Sequence, residues 1–101
     1  AGGSMTSLIG RLNRACTKRP WVPDYLRYEG AFEEALQQLW FDTHVHDQRV
    51  LSWFIEIVGM DRLLMGTNFA GWDQHALVQE IDPALAETMS ANAKRLLRAI
   101  P

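Results

Sequence analysis

The sequence predicts an α/β chain with parallel strands, and three observations support that class. Two short stretches of strand character, "LWFDTHVHD" and "RLLMGT", are each flanked by helical patterns. The segment between them carries Val50, Leu51, Phe54, Ile57 and Val58 as an apolar helical stripe. The order helix, strand, helix, strand, helix is the one expected of parallel neighbours joined by a crossover helix. Two helix-covered strands make a poor sheet and need neighbours on either side, so the chain reads as part of a larger barrel or as an obligate assembler.

Each element follows from local pattern. Leu8, Ile9, Leu12, Ala15 and Cys16 recur at helical spacing behind candidate caps at Ser4 or Thr6, and this helix must stop before Pro20. "KRPWVPDY" holds two prolines and reads as a connector. Phe32, Ala35, Leu36 and Leu39 then mark a short helix with Glu33 and Glu34 near its positive end. In the first strand, alternation puts Phe41, Thr43 and Val45 on one face and Asp42, His44 and His46 on the other. Asp47 is placed to cap the following helix and Gly59 to end it. After the second strand, Asp73 is placed to cap a short helix through Ala76, Leu77 and Ile81. Asp82 before Pro83 pairs a cap with a favoured first helical residue, opening a helix with Leu85, Met89, Ala93, Leu96, Leu97 and Ile100.

Composition narrows the function classes. A chain of 101 residues, 48% hydrophobic and with four tryptophans, is long enough for one domain with a modest core, and its composition is that of a folded chain. The formal charge of -2 argues against nucleic acid and acidic membranes as partners. Cys16 is the single cysteine, which leaves no intrachain disulfide and no thiolate zinc cluster, and makes a reducing cytoplasm the expected compartment. No apolar run approaches the roughly 20 residues of a spanning helix.

Four segments carry a resemblance that covers nearly the whole chain: "AGGSMTSLIGR", "FDTHVHD", "GMDRLLMGTNFA" and "ANAKRLL". Their order and spacing resemble the C-terminal portion of the amidohydrolase-related (β/α)8 enzymes, the family of aminocarboxymuconate-semialdehyde decarboxylase and its relatives. The likeness implies that residues 1–101 are the C-terminal part of a single amidohydrolase-like barrel domain, holding the last two strands and associated helices of a TIM-type barrel that is incomplete alone. A full barrel of this kind takes roughly 250 residues.

The resemblance also implies a site. The family binds its metal, expected to be zinc in the complete barrel, through a His-x-His pair on the first strand, a histidine on a middle strand and an aspartate ending the last strand. Asn68 stands at that aspartate position. An amide oxygen is a weaker, uncharged ligand and cannot serve as a base near neutral pH, so tight metal binding is not expected of this segment alone. From the residues themselves, Asn68 before Gly71 also suits an unusual loop conformation. His44 and His46 share a strand face and with Asp42 make a candidate zinc site. The family reading instead has His46 closing the helix start and His44 filling the barrel mouth at the substrate. Arg11 falls where the family's Gly-Arg places an arginine that in some decarboxylases reaches a neighbouring subunit's substrate carboxylate, a task suited to bidentate hydrogen bonding. Arg14 and Lys18 read as a solvated face. Trp72, in the loop after the last strand, is placed to wall an aromatic or dienoic substrate.

Two functions follow. One is the C-terminal segment of a metal-dependent hydrolase or nonoxidative decarboxylase acting on a carboxylated cyclic or unsaturated acid, inactive alone and partnered by the remaining barrel segment or by further copies of itself. The other is a noncatalytic assembly or interaction module that has lost the metal-binding aspartate.

Overall fold

A computed structural model describes residues 2–72 and 82–99. Helix α1 (Met5–Lys18) leads through a single 3-10 turn (Asp24–Leu26) to α2 (Ala31–Leu36). Strand β1 (Phe41–Asp42), helix α3 (Gln48–Val58), strand β2 (Leu63–Leu64) and helix α4 (Pro83–Ala99) complete the described elements. The strands are parallel, with Phe41 opposite Leu63 and Asp42 opposite Leu64.

This architecture corrects the expectation of an α/β barrel portion. The described chain is mostly helical, and its sheet is one pair of strands two residues long. The physical reason lies in pairing: the Phe41 and Thr43 N–H groups donate to the Arg62 and Leu64 carbonyls at 3.0 Å, and no further strand continues the ladder among the described residues. The rest of "THVH" and "MGT" keeps its place in the chain without strand structure. So small a sheet contributes little by itself, and the helices packed on it carry the core.

Local chemistry explains the helix boundaries. The Asp47 carboxylate accepts the Arg49 backbone N–H at 2.8 Å and so caps α3, while Gly59, at φ 78°, ends it in a conformation glycine adopts freely. The Asp82 carboxylate accepts the Leu85 N–H at 3.3 Å, and Pro83 occupies the first turn of α4, where its missing N–H is harmless. Ser4 precedes α1 without a side-chain cap; the Ser7 hydroxyl instead donates to the Ser4 carbonyl. The helix expected around Phe32 to Leu39 ends at Leu36 and leaves Leu39 exposed. The helix expected through Ala76, Leu77 and Ile81, with its cap Asp73, lies outside the described residues.

The core gathers Leu51, Phe54, Ile57 and Val58 of α3, Leu36 of α2, Leu63 of β2, and Leu85 and Met89 of α4. Phe41 meets Phe54 edge to face with ring centroids 5.2 Å apart, a favoured aromatic geometry. Thr43 is buried and Val45 packs on the core, so the face expected of Phe41, Thr43 and Val45 points inward even beyond the end of β1. Cys16 is a buried free thiol. No described helix is long and apolar enough to cross a membrane.

The cap at Asp47 has a pH signature. The Arg49 side-chain hydrogen bond, aided by the Arg49 backbone N–H, holds the Asp47 carboxyl well below the usual carboxylate range. A folded-state pKa below the unfolded value means that the contribution to stability is complete above the unfolded value of about 4 and is lost as pH falls toward the folded one. Asp47→Asn is therefore expected to flatten the acid side of the stability curve below about pH 4. Urea midpoints measured at stepped pH check this, and parallel acid limbs in the two proteins would refute it.

Candidate functional site

Parallel strands end on the same side of their sheet, and ligand sites in α/β units form where the chain leaves those ends. Here the chain leaves β1 through Thr43, His44, Val45 and His46 and leaves β2 through Met65, Gly66, Thr67 and Asn68. The two exits touch. A Cβ placed on Gly66 would lie 2.8 Å from Asp42 Cβ and 3.2 Å from His44 Cβ, so the absent side chain is what lets the segments close on each other.

Alternation delivers the polar groups. Asp42, His44 and His46 emerge on the face opposite the core, and the two imidazole rings stand edge to face with centroids 4.9 Å apart. The His44 backbone N–H donates to Asp42 Oδ1 at 2.8 Å, fixing the carboxylate beside the first histidine. Limited burial of Asp42 acts to raise its pKa, and the His44 N–H acts to lower it.

Asn68 follows at the end of the β2 exit, in the left-handed region with φ 49°. Its carbonyl accepts the Gly71 N–H at 2.8 Å, and its side chain occupies the space a Cβ on Gly71 would need. Asparagine tolerates this conformation better than most residues, and Gly71 makes room for it. The loop reading of Asn68 is thus realised in the structure. Ala70, at φ 63°, adopts the same region, while Phe69 and Trp72 are 85% and 97% exposed. Trp72 therefore stands at the rim of this loop with its ring open.

Arg11 lies elsewhere. It lines a groove on α1 with Arg14, Lys18 and Trp21, and no described contact joins it to Asp42, His44 or Asn68. The sequence-derived set thus divides into a strand-end group of His44, Asn68 and Trp72 and a separate helical position, Arg11.

Among the described residues no three His, Cys, Asp or Glu side chains converge, and Asn68 adds only a neutral amide. These residues do not by themselves make a metal site; their chemistry is hydrogen bonding to a polar ligand.

Two contributors had no role assigned from the sequence. Gly66 was detectable as a glycine at the end of a strand, a common sign of close backbone approach. Asn92 had a fainter signal, an amide inside a helix where such residues are unfavourable unless bonded. It is buried, and its Nδ2 donates to the Met60 carbonyl at 2.7 Å and the Leu63 carbonyl at 3.0 Å. It thereby ties α4 to β2 and sets where the strand delivers Gly66 and Asn68. Around this tie, Arg62 and Arg95 lie over the Trp40 ring at 5.8 Å and 5.4 Å from its centroid, and Arg95 donates to the Asp61 carbonyl. No family model matches the chain, and no curated protein matches its sequence.

Proposed function

We propose that this chain is the C-terminal portion of a metal-dependent hydrolase or nonoxidative decarboxylase that acts on a carboxylated cyclic or unsaturated acid. The observation that carries this reading is the closure of the two parallel strand exits at Gly66, which sets Asp42, His44 and His46 beside the segment leading to Asn68. The order of the four sequence segments described above supports the same class.

Within that reading the residues have separate tasks. The Asn68 amide offers an acceptor and two donor hydrogens, so it orients a substrate carboxylate or carbonyl but does not take a proton near neutral pH. His44 sits where it can face the substrate across Gly66, and Trp72 supplies an apolar wall for an unsaturated or aromatic body. Arg11, exposed on α1 and apart from this group, serves the carboxylate of a substrate held by a neighbouring subunit. The metal draws its other ligands from residues outside those described, beside the Asn68 position.

Asn68→Asp tests this reading in the full-length protein. A carboxylate adds a negative ligand and a titratable acceptor, so metal affinity is expected to tighten by about tenfold, the scale on which single partners around a metal act, and turnover is expected to rise. Chelator competition and steady-state assays on carboxylated cyclic and unsaturated acids measure both. Unchanged affinity with reduced turnover would make the amide a working hydrogen-bond donor in its own right.

A second reading, a noncatalytic assembly module, is favoured by one specific feature. An apolar groove of about 500 Å³ runs between β2 and α4, lined by Leu64, Met65, Met89, Ala93, Leu96 and Leu97. In that case neither the natural protein nor Asn68→Asp turns over any of these acids, while the mass measured by light scattering rises with protein concentration.

A further inference from the structure

Charge is unevenly distributed along the chain. Arg11, Arg14, Lys18, Arg19 and Arg27 supply half of its 10 basic residues within one short stretch that holds a single acid, Asp24. Helical geometry puts Arg11, Arg14 and Lys18 at i, i+3 and i+7, along one side of α1. Arg19 and Trp21 follow at the helix end and complete a groove of about 630 Å³.

Four arginines elsewhere are engaged, while Lys94 and Arg98 on α4 are exposed as the groove residues are. Arg27 pairs with Asp24, Arg49 with Asp47, and Arg62 and Arg95 engage carbonyls and the Trp40 ring. Arg11, Arg14, Lys18 and Arg19 are exposed and have no carboxylate partner among the described residues. Arg14 and Lys18, four apart on the helix, repel each other, and Glu29 shares an adjacent groove with them without forming an ion pair to either. Trp21 is 72% exposed at the end of the same groove, an apolar surface beside concentrated positive charge.

We infer that this groove binds a short, extended acidic peptide, its carboxylates on Arg11, Arg14 and Lys18 and an apolar side chain of the peptide against Trp21. Dimensions favour this partner. The seven-residue step from Arg11 to Lys18 spans about 10 Å of helix axis. Alternate residues of an extended peptide are about 7 Å apart, so two carboxylates fit along the groove. A long polyanion such as single-stranded DNA fits worse, because it must run on to a remainder of the chain where acids outnumber bases, beginning with Glu29, Glu33 and Glu34. The inference shares Arg11 with the proposed substrate role and is tested through Arg14, Lys18 and Trp21, to which that role assigns nothing.

The test is fluorescence anisotropy with a labelled, end-blocked hexapeptide of alternating glutamate and phenylalanine. Saturable binding is expected at about 50 mM salt, weakening by about tenfold or more at about 300 mM as the Debye length shrinks. The same peptide with glutamine for glutamate should not bind. Arg14→Ala combined with Lys18→Ala should weaken binding by about tenfold, and Trp21→Ala by a smaller factor that does not depend on salt. All three positions are exposed, and an unchanged circular dichroism spectrum shows that the variants fold. Equal binding of the glutamine peptide, or insensitivity to the Arg14 and Lys18 changes, would overturn the inference. Tighter binding of a 20-nucleotide single strand that displaces the peptide would overturn it in favour of a nucleic-acid surface.

Discussion

Replacing Phe54 with alanine is expected to destabilise the chain by about 3–5 kcal/mol, the largest effect of any single truncation considered. Phe54 is 1% exposed, belongs to the helix that supplies half of the core cluster, and stacks edge to face on Phe41. Its ring also fills the space beside Gly2, where an added Cβ would come within 3.0 Å. Truncation removes the transfer contribution of the ring and leaves a cavity bounded by two helices and a strand that cannot all collapse onto it. Phe54→Leu, which keeps most of the volume, is expected to lose about half as much. Urea denaturation followed by circular dichroism measures both, and a loss below about 1 kcal/mol for the alanine variant would mean that the α3 and β1 packing is not the centre of the fold.

Asn92→Ala is the second, at about 2–4 kcal/mol, and its cause is polar. Successive carbonyls of a strand point to opposite edges. Those of Arg62 and Leu64 face β1 and are bonded there, so the Leu63 carbonyl faces the other way, where Asn92 Nδ2 meets it. The same nitrogen bonds the Met60 carbonyl, so one substitution strips a donor from two backbone acceptors near the core. Asn92→Asp separates the hydrogen bond from the volume: it keeps the shape, replaces donor with negative charge beside two carbonyl oxygens, and is expected to be at least as damaging as alanine. An aspartate variant with natural stability would refute this account of the tie between α4 and β2.

What could be read along the chain was whatever depends on neighbours in sequence. Asp47, Gly59 and Asp82 act as helix signals through hydrogen bonds and dihedral angles spanning a few residues, and each does so in the structure. The inward face of Phe41, Thr43 and Val45 followed from the period of two, which survives even where the ladder stops. Asn68 before Gly71 announced an unusual loop conformation for the same reason, and its φ is positive.

Periodicity was less reliable at helix edges. Leu8, Val50 and Leu97 belong to the apolar stripes of the sequence, yet they are 41%, 40% and 69% exposed. A helical stripe is wider than the surface its neighbours cover, and the covered part depends on where those neighbours sit.

By itself, then, the sequence determined where α1, α3 and α4 lie, the caps at Asp47 and Asp82, the face the first extended segment turns inward and the concentration of positive charge on α1, because propensity, capping and side-chain alternation act over a few residues. Only the tertiary structure decided the length of the β1–β2 ladder, the closure of the strand exits at Gly66, the burial of Asn92 against a strand about thirty residues away in sequence, and the separation of Arg11 from the strand-end group. Those features arise from segments distant along the chain meeting in space, where packing and the pairing of backbone carbonyls select one arrangement among several that the local pattern allows.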